Sequence, residues 1–314
     1  MNNPGIKLLE LYLSLSGGVL LGWLLGRILP KQSPIYLGKF LFWIGVPMGI
    51  LGFLRRTNLS GAIWIAPLVS WAAILLGAGL AWTWLKINQR WGKLSENTRK
   101  KPNQGSFILA SMVGNTGYLG YPVTLALLGQ QYFGWALFYD LLGSTIGTYG
   151  FGVALAARFG MGVTSYKQIA IAVVKNPALW SLSFGLTSRK IPLPDAVELV
   201  LQIIAWTVIG LSLILIGMRL SLLSSMRGLS QISVSLCIKM LLVPLVLGIA
   251  LTMLGITGSP RLVMVLQMSM PPAFATLILA EAYNLDRELA VTGIALGCAG
   301  LFFTLPLWLW LFGV

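Results

Sequence analysis

The sequence predicts an all-α integral membrane protein with ten transmembrane helices arranged as two inverted five-helix repeats. The 314 residues are 57% hydrophobic and only 10% charged, with a mean hydropathy of +0.84, whereas a soluble domain carries about 25% charged residues. Apolar runs of about 20 residues, the length that crosses a bilayer core, recur along the chain. Motifs of the first half return in the same order in the second half.

Ten predicted spans account for the apolar runs. Polar turns separate most of them, as at Lys31–Pro34 and Gly258–Pro260. The first run is too long for the core of a signal peptide, so we interpret it as a membrane span. The predicted spans cover residues 8–29, 35–54, 62–86, 107–129, 131–158, 168–187, 195–218, 231–255, 260–282 and 288–313.

The positive charges indicate how the chain is oriented. The net charge is +14, and the cations lie mostly between apolar runs. That distribution is typical of residues that set topology and contact anionic lipid headgroups, not of a patch that binds nucleic acid. The connection Lys86–Ser106 carries six cations and a single glutamate, which predicts a cytoplasmic loop. Alternation then places both termini on the non-cytoplasmic side of the cell (inner) membrane.

The two halves of the chain resemble each other. Pro67-Leu68-Val69 in span 3 matches Pro244-Leu245-Val246 in span 8, and prolines interrupt both span 4 and span 9. Because each unit holds five spans, an odd number, the second copy must enter the membrane from the opposite side. We therefore predict repeats at 1–158 and 159–314, related by an axis in the membrane plane, as in many secondary transporters.

The segments that interrupt spans 4 and 9 are the parts of the sequence that say most about function. Segment 114–122 (GNTGYLGYP) holds three glycines and a proline, and segment 268–276 (MSMPPAFAT) holds two consecutive prolines. In a helix interior Gly costs about 1 kcal/mol and Pro about 3 kcal/mol relative to Ala. Backbone groups freed in hydrocarbon need partners, so both segments should be buried in protein or line a wet cavity. Such paired interruptions indicate a transport site.

These segments define the predicted substrate site. A half-helix N-terminus offers free N–H groups and partial positive charge to an anion, and Asn115 adds a side-chain donor and acceptor. We expect the backbone around Gly117–Gly120 to bind the polar group of the substrate, and apolar neighbours to cover its body. The predicted substrate-binding residues are Asn115, Gly114, Thr116, Gly117, Tyr118, Gly120, Pro122, Met270, Pro271, Pro272 and Thr276.

Several charged residues lie within the predicted spans, and three of them are candidates for function or ion pairing. Asp140 lies inside span 5, where a carboxylate is costly, so it is a candidate for proton or ion coupling; a structural hydrogen bond or ion pair is the alternative. Glu281 is a second coupling candidate, although its place near a span end also fits a snorkelling charge. Lys239 in span 8 can pair with a substrate anion or a carboxylate, but snorkelling is the interpretation that the sequence favours.

Three motifs carry a resemblance to a known family. Residues 115–122, with Leu128-Gly129, resemble the fourth-helix motif of the auxin efflux carrier (PIN-like) family. Met270-Pro271-Pro272, followed by residues 279–286 (LAEAYNLD), resembles its ninth-helix motif, and Lys175-Asn176-Pro177 resembles the motif that opens its sixth helix. The likeness runs over nearly the whole chain and is closest to the compact bacterial members. This family is related to the bile acid/sodium symporter superfamily.

The resemblance implies that the helices form two domains with different roles in transport. Helices 4 and 9 would cross at their breaks at mid-membrane. Spans within 8–54 and 168–218 would form a scaffold, and those within 62–158 and 231–313 a moving transport domain. It also implies export of small organic anions, such as auxin-like or carboxylate compounds, by a homodimer. In one departure, relatives often carry an asparagine just after the second break, where this chain has Phe274, Ala275 and Thr276.

Three functions compete at this point. The first is an efflux carrier for small organic anions that works by elevator-type alternating access. The second is a sodium-coupled organic anion symporter of the bile-acid type, in which carbonyls at both breaks bind Na⁺. The third is an intramembrane aspartyl protease, which needs two carboxylates that share a proton, and no second aspartate stands in a matching motif.

With no histidine in the chain, Ser-His and Cys-His triads and most zinc sites are excluded. The sequence thus predicts no enzyme, cofactor or metal site.

Overall fold

The computed structural model describes residues 4–55, 57, 59, 61–160, 177–221 and 228–313, with only the backbone for residues 4–12, 14 and 15. The regular elements of these residues are helical, which confirms the predicted all-α class. Short π-helices (Leu41–Gly45, Tyr139–Thr145, Thr148–Gly152 and Ile238–Leu242) and a 3₁₀ turn (Gln130–Tyr132) link some of the α-helices. The α-helices are α1 Pro4–Ile28, α2 Ser33–Phe40, α3 Val46–Leu54, α4 Ile65–Arg90, α5 Glu96–Arg99, α6 Lys101–Met112, α7 Gly120–Leu128, α8 Phe133–Phe138, α9 Val153–Phe159, α10 Pro177–Ser188, α11 Asp195–Ser221, α12 Leu229–Cys237, α13 Val243–Met253, α14 Gly258–Met268, α15 Phe274–Ala282 and α16 Arg287–Phe312.

Several helices have the length and apolar character of membrane spans. Within the described residues, five are long and apolar enough: Ser33–Leu54, Ile65–Arg90, Asp195–Ser221, Leu229–Met253 and Arg287–Phe312. They fall on predicted spans 2, 3, 7, 8 and 10. Helix α1 covers predicted span 1, and the chain is helical throughout predicted span 5. The start of predicted span 6, with Lys175 and Asn176, lies outside the described residues.

Helix α6 begins earlier than predicted span 4 because its polar first turns have partners. Asn103 Nδ2 donates to Asp286 Oδ2 at 2.8 Å, and Gln231 Nε2 donates to Asn103 Oδ1 at 2.6 Å. Asp286 also caps α16 by accepting from the backbone N–H of Leu289 at 3.0 Å. These bonds satisfy buried polar groups at the start of α6, so the helix extends into the connection that the charge pattern predicts as a loop.

The chain packs as two compact units. Unit 1 comprises the described residues within Met1–Ile63, Gly117–Leu137 and Val174–Leu223. In unit 1, α1 packs along α11, which also packs against α3. A buried cluster of Leu41, Val208 and Leu215 lies in this unit, with Tyr118 packed against it.

Glycines bring the backbones of α1 and α11 into contact. A Cβ built on Gly22 would lie 2.1 Å from the carbonyl oxygen of Ile214, and one on Gly217 would lie 2.0 Å from that of Val19. Real side chains do not tolerate such distances, so both positions require glycine. In a membrane the hydrophobic effect does not drive helices together, so helices associate through close packing. Small residues at the interface are the usual means of such packing.

Unit 2 comprises the described residues within Trp64–Thr116, Phe138–Val173 and Ser224–Val314. In this unit α4 packs against α6 and the π-helix Tyr139–Thr145, and α16 packs against α12, α14 and α15.

A proline within predicted span 8 leaves a backbone carbonyl without its usual partner. Pro244 has no N–H to donate to the carbonyl of Met240, four residues earlier. Trp308 Nε1, on α16, donates to that carbonyl at 3.1 Å instead. The break in the hydrogen bonding of span 8 is thus repaired by a buried side chain of the same unit.

The contact between α1 and α11 predicts a difference between two glycine substitutions. We expect Gly22→Ala to destabilise the protein by about 1–3 kcal/mol, because its new methyl group overlaps the Ile214 carbonyl. Gly17→Ala, on the same helix with nothing within 4 Å of its Cβ position, is the matched control. Melting temperatures of the detergent-purified variants measure the effect. Equal melting temperatures for the two variants would show that α1 and α11 do not pack through Gly22.

Candidate substrate site

Both interruptions that the sequence predicts are present. Helix α6 ends at Met112 and α7 begins at Gly120, while α14 ends at Met268 and α15 begins at Phe274. Val113 leaves the helix in an extended conformation (φ −102°, ψ 116°). In the second segment Pro271 and Pro272 have no N–H to continue the helix, and Ala273 is extended (φ −72°, ψ 152°).

The main chains of the two interrupted segments pair with each other within unit 2. Gly114 and Pro272 form an isolated antiparallel bridge. The backbone N–H of Asn115 donates to the Pro271 carbonyl at 2.7 Å, and that of Ala273 donates to the Val113 carbonyl at 3.1 Å. Each segment therefore supplies partners for backbone groups that the other segment exposes. We call residues 113–115 and 271–273 the bridge.

The side chain of Asn115 is buried at the bridge, and its amide nitrogen is a hydrogen-bond donor without an acceptor among the described residues. Asn115 is 3% exposed, and among the described residues its Nδ2 has no hydrogen-bond partner. A buried donor without a partner costs about 1–3 kcal/mol. Most buried polar atoms in proteins are satisfied, so this amide is a candidate to bind a ligand group.

Lys239 lies against the bridge and not at a membrane surface. Its side chain is buried, and Nζ donates to the carbonyl of Met268, the last residue of α14, at 2.6 Å. Carbonyls at the end of a helix lack intrahelical partners and carry partial negative charge. A Cβ built on Gly114 would lie 3.0 Å from Nζ.

The expectation that Lys239 snorkels is therefore wrong. The end of α14 inside unit 2 gives the ammonium an acceptor, so the side chain has no need to reach a surface. The available sequence signal was that span 8, residues 231–255, holds no other charged residue. A charge that is alone in a span is functional by default.

Asp140 is connected to the same segment through a threonine. It lies half-buried in the π-helix Tyr139–Thr145, and its Oδ1 accepts a hydrogen bond from Thr116 Oγ1. Thr116 is itself buried and follows Asn115 directly. The structure thus brings the predicted coupling candidate Asp140 to a predicted substrate-binding residue. Insertion of a π-turn is frequent at functional sites, and both Asp140 and Lys239 lie in one.

Other predicted residues of unit 2 have different surroundings. Thr276 is buried and its Oγ1 donates to the Ala273 carbonyl at 2.7 Å, which stabilises the start of α15. Met270 is fully buried beside the bridge. Glu281 is exposed near the end of α15, and its Oε1 lies 2.8 Å from Arg287 Nε. The structure does not place Glu281 at the interruption.

The remaining predicted residues belong to unit 1. Gly117, Tyr118 and Pro122 line a small apolar cavity of about 30 Å³ in that unit, together with residues such as Val46 and Ala205, and Gly120 begins α7. Ligand pockets usually measure about 300–1,000 Å³, so this cavity within unit 1 is too small for an organic anion. A role of these four residues in substrate binding stays a prediction.

Comparison with known proteins agrees with the motifs. The family model described as membrane transport protein matches residues 6–309. An uncharacterized transporter from Methanothermobacter thermautotrophicus is 27% identical over 304 residues, which cover 95% of this chain and 96% of that protein. An uncharacterized transporter from Methanocaldococcus jannaschii is 28% identical over 219 residues, which cover 68% of this chain and 70% of that protein. The chain therefore belongs to the membrane transport protein family, the auxin efflux carrier-like family that its motifs predict.

Proposed function

We propose that this chain is a secondary transporter that exports small organic anions, such as auxin-like or carboxylate compounds, and that the anion binds at the bridge in unit 2. The observation that carries the proposal is the buried Nδ2 of Asn115, which has no partner among the described residues. The backbone N–H of Asn115 is already bonded to Pro271. The side-chain amide is thus the free donor of this residue, and a carboxylate oxygen is the acceptor that suits it.

The charges around the bridge favour an anion over a cation. Lys239 places a buried ammonium against Gly114. Helix α15 begins at Phe274, directly after the bridge, and a helix N-terminus carries partial positive charge. A cationic substrate would be repelled by the ammonium, whereas an anion lowers the cost of burying it.

The proposed function also includes an assignment of the unit that moves during transport. Each unit packs internally, and unit 2 contains the bridge, Asn115 and Lys239. We propose an elevator-type cycle in which unit 2 carries the substrate and unit 1 serves as scaffold. In this assignment α7, the second half of predicted span 4, groups with the scaffold, because Gly117–Leu137 packs in unit 1.

We also propose the ten-span inverted topology, with repeats at 1–158 and 159–314 and both termini outside the cytoplasm of the cell membrane. Its support is the presence of an interruption at corresponding places in the two halves, after Met112 and after Met268. The positive charges of the Lys86–Ser106 connection support a cytoplasmic location for that loop. A homodimer is proposed on the family resemblance.

We predict that the purified protein in liposomes transports at least one member of a panel of small carboxylates that includes indole-3-acetate, benzoate and pyruvate. Efflux of the radiolabelled compound is the measurement, with empty liposomes as the blank. Replacement of Na⁺ by choline should leave the flux unchanged, because the proposed site binds the anion through protein donors. No flux of any panel member by protein that retains its melting transition would contradict the proposed function.

Asn115→Ala should separate function from stability. The substitution removes a hydrogen bond to a charged ligand group, so we expect affinity to fall by about tenfold or more. It also removes a buried unsatisfied donor, so the melting temperature should be unchanged or higher. Asn88→Ala is the matched control, because Asn88 Nδ2 is bonded to the carbonyl of Trp84 in its own helix. Wild-type affinity in the Asn115→Ala variant would refute the assignment.

Asp140→Asn tests whether Asp140, a candidate for proton or ion coupling, carries a proton during transport. The carboxyl of Asp140 accepts from Thr116 beside Asn115, so a change of its charge acts on the substrate site. We expect wild-type flux to vary over a pH series from mildly acidic to mildly alkaline, and the flux of the Asn variant to be flat over that series. Asp195→Asn, at the exposed start of α11, is the control. Persistence of the wild-type pH profile in Asp140→Asn would remove Asp140 from this role.

A further inference from the structure

Lys239 is a buried cation that has no carboxylate partner among the described residues. It is 2% exposed, and the ion pairs of Arg55 with Glu198 and of Arg287 with Glu281 do not involve it. Removing an ammonium from water costs several kcal/mol, which an anion in good geometry can offset. A single neutral carbonyl, that of Met268, offsets only part of this cost. The described residues thus offer the ammonium a carbonyl acceptor and no negative charge.

The Lys239 ammonium has more N–H groups than the described residues provide acceptors for. A lysine ammonium has three N–H groups, and Met268 accepts one of them. Gly114 is what allows the side chain to approach the bridge, because a Cβ at this position would lie 2.9 Å from Lys239 Cε and 3.0 Å from Nζ. The next residue along the chain is Asn115, whose buried Nδ2 also lacks a partner among the described residues. Two adjacent residues of the bridge, Gly114 and Asn115, are thus associated with a donor that no described residue satisfies, the first through its contact with Lys239 and the second through its own side chain.

We infer that Lys239 is the charge-pairing residue of the substrate site. Its ammonium bonds to the Met268 carbonyl in the empty carrier and pairs with the anionic group of the substrate in the loaded carrier. The flexible four-carbon stem of lysine permits this exchange of partners. The inference rests on the proposed function, because it assigns a residue to the anion that the proposed function transports.

This assignment also sets the number of charges on the substrate. The site provides one buried ammonium, which one negative charge neutralises. Asp140 adds a carboxyl next to the same segment through Thr116, so a second negative charge on the substrate would meet repulsion in place of a partner. The site is therefore matched to anions with a single charge, and it discriminates against their uncharged analogues.

The test compares each acid with its own amide. Equilibrium binding to detergent-purified protein is measured for indole-3-acetate, benzoate and pyruvate, and for indole-3-acetamide, benzamide and pyruvamide. We expect the wild type to prefer the anion that it transports over the corresponding amide. Lys239→Met should lower affinity for that anion by about ten- to a hundredfold and change affinity for the amide much less, so that the preference is lost. Lys239→Arg should retain the preference.

Two further variants protect the test against misfolding. Lys39→Met, at an exposed position of α2, is the control for the loss of a lysine charge elsewhere. Gly114→Ala retains Lys239 but crowds its Cε and Nζ, so affinity for the anion should fall more than affinity for the amide. Undiminished preference for the anion in Lys239→Met and Gly114→Ala would overturn the role of Lys239 while leaving the proposed function intact. Absence of binding and flux for all three anions in the wild type would instead contradict the proposed function.

Discussion

Two main-chain hydrogen bonds, from Asn115 to the Pro271 carbonyl and from Ala273 to the Val113 carbonyl, hold the interrupted segments of unit 2 together. Each interruption by itself would leave buried backbone groups without partners, at a cost of several kcal/mol per group in hydrocarbon. Pairing the segments removes that cost. It also positions the two side chains that we propose for substrate binding, since Asn115 belongs to one segment and Lys239 bonds to the helix end that precedes the other.

The chemistry of the site follows from what the bridge leaves unsatisfied. Within the part of the chain that the structure describes, a buried amide nitrogen has no partner and a buried ammonium has no carboxylate, and both groups destabilise the fold. Proteins retain such groups where function needs them, and activity is then gained at some loss of stability. Both groups are hydrogen-bond donors and one is charged, which is why the ligand that we propose for them is an anion with acceptor oxygens.

Much of this arrangement was predictable from local sequence. The glycines and prolines of segments 114–122 and 268–276 made the interruptions predictable, because helix propensity is a local property. The proposed role of Asn115 followed from its place in an interruption. The proposed role of Lys239 did not, because it depends on where α14 ends in space relative to span 8. The early start of α6 has a similar origin, since Asn103 finds its partner Asp286 far along the chain. Likewise, the grouping of α7 with unit 1 arises from helix packing between distant segments.

The most direct measurement is an experimental structure determined with the panel anion that raises the melting temperature most, because only a ligand that binds the folded state stabilises it. Density for its carboxylate should lie within hydrogen-bond distance of the Asn115 amide in unit 2, with the Lys239 ammonium turned toward it from Met268. Density for the anion elsewhere, with Asn115 and Lys239 still without a ligand, would contradict the assignment of the bridge as the substrate site.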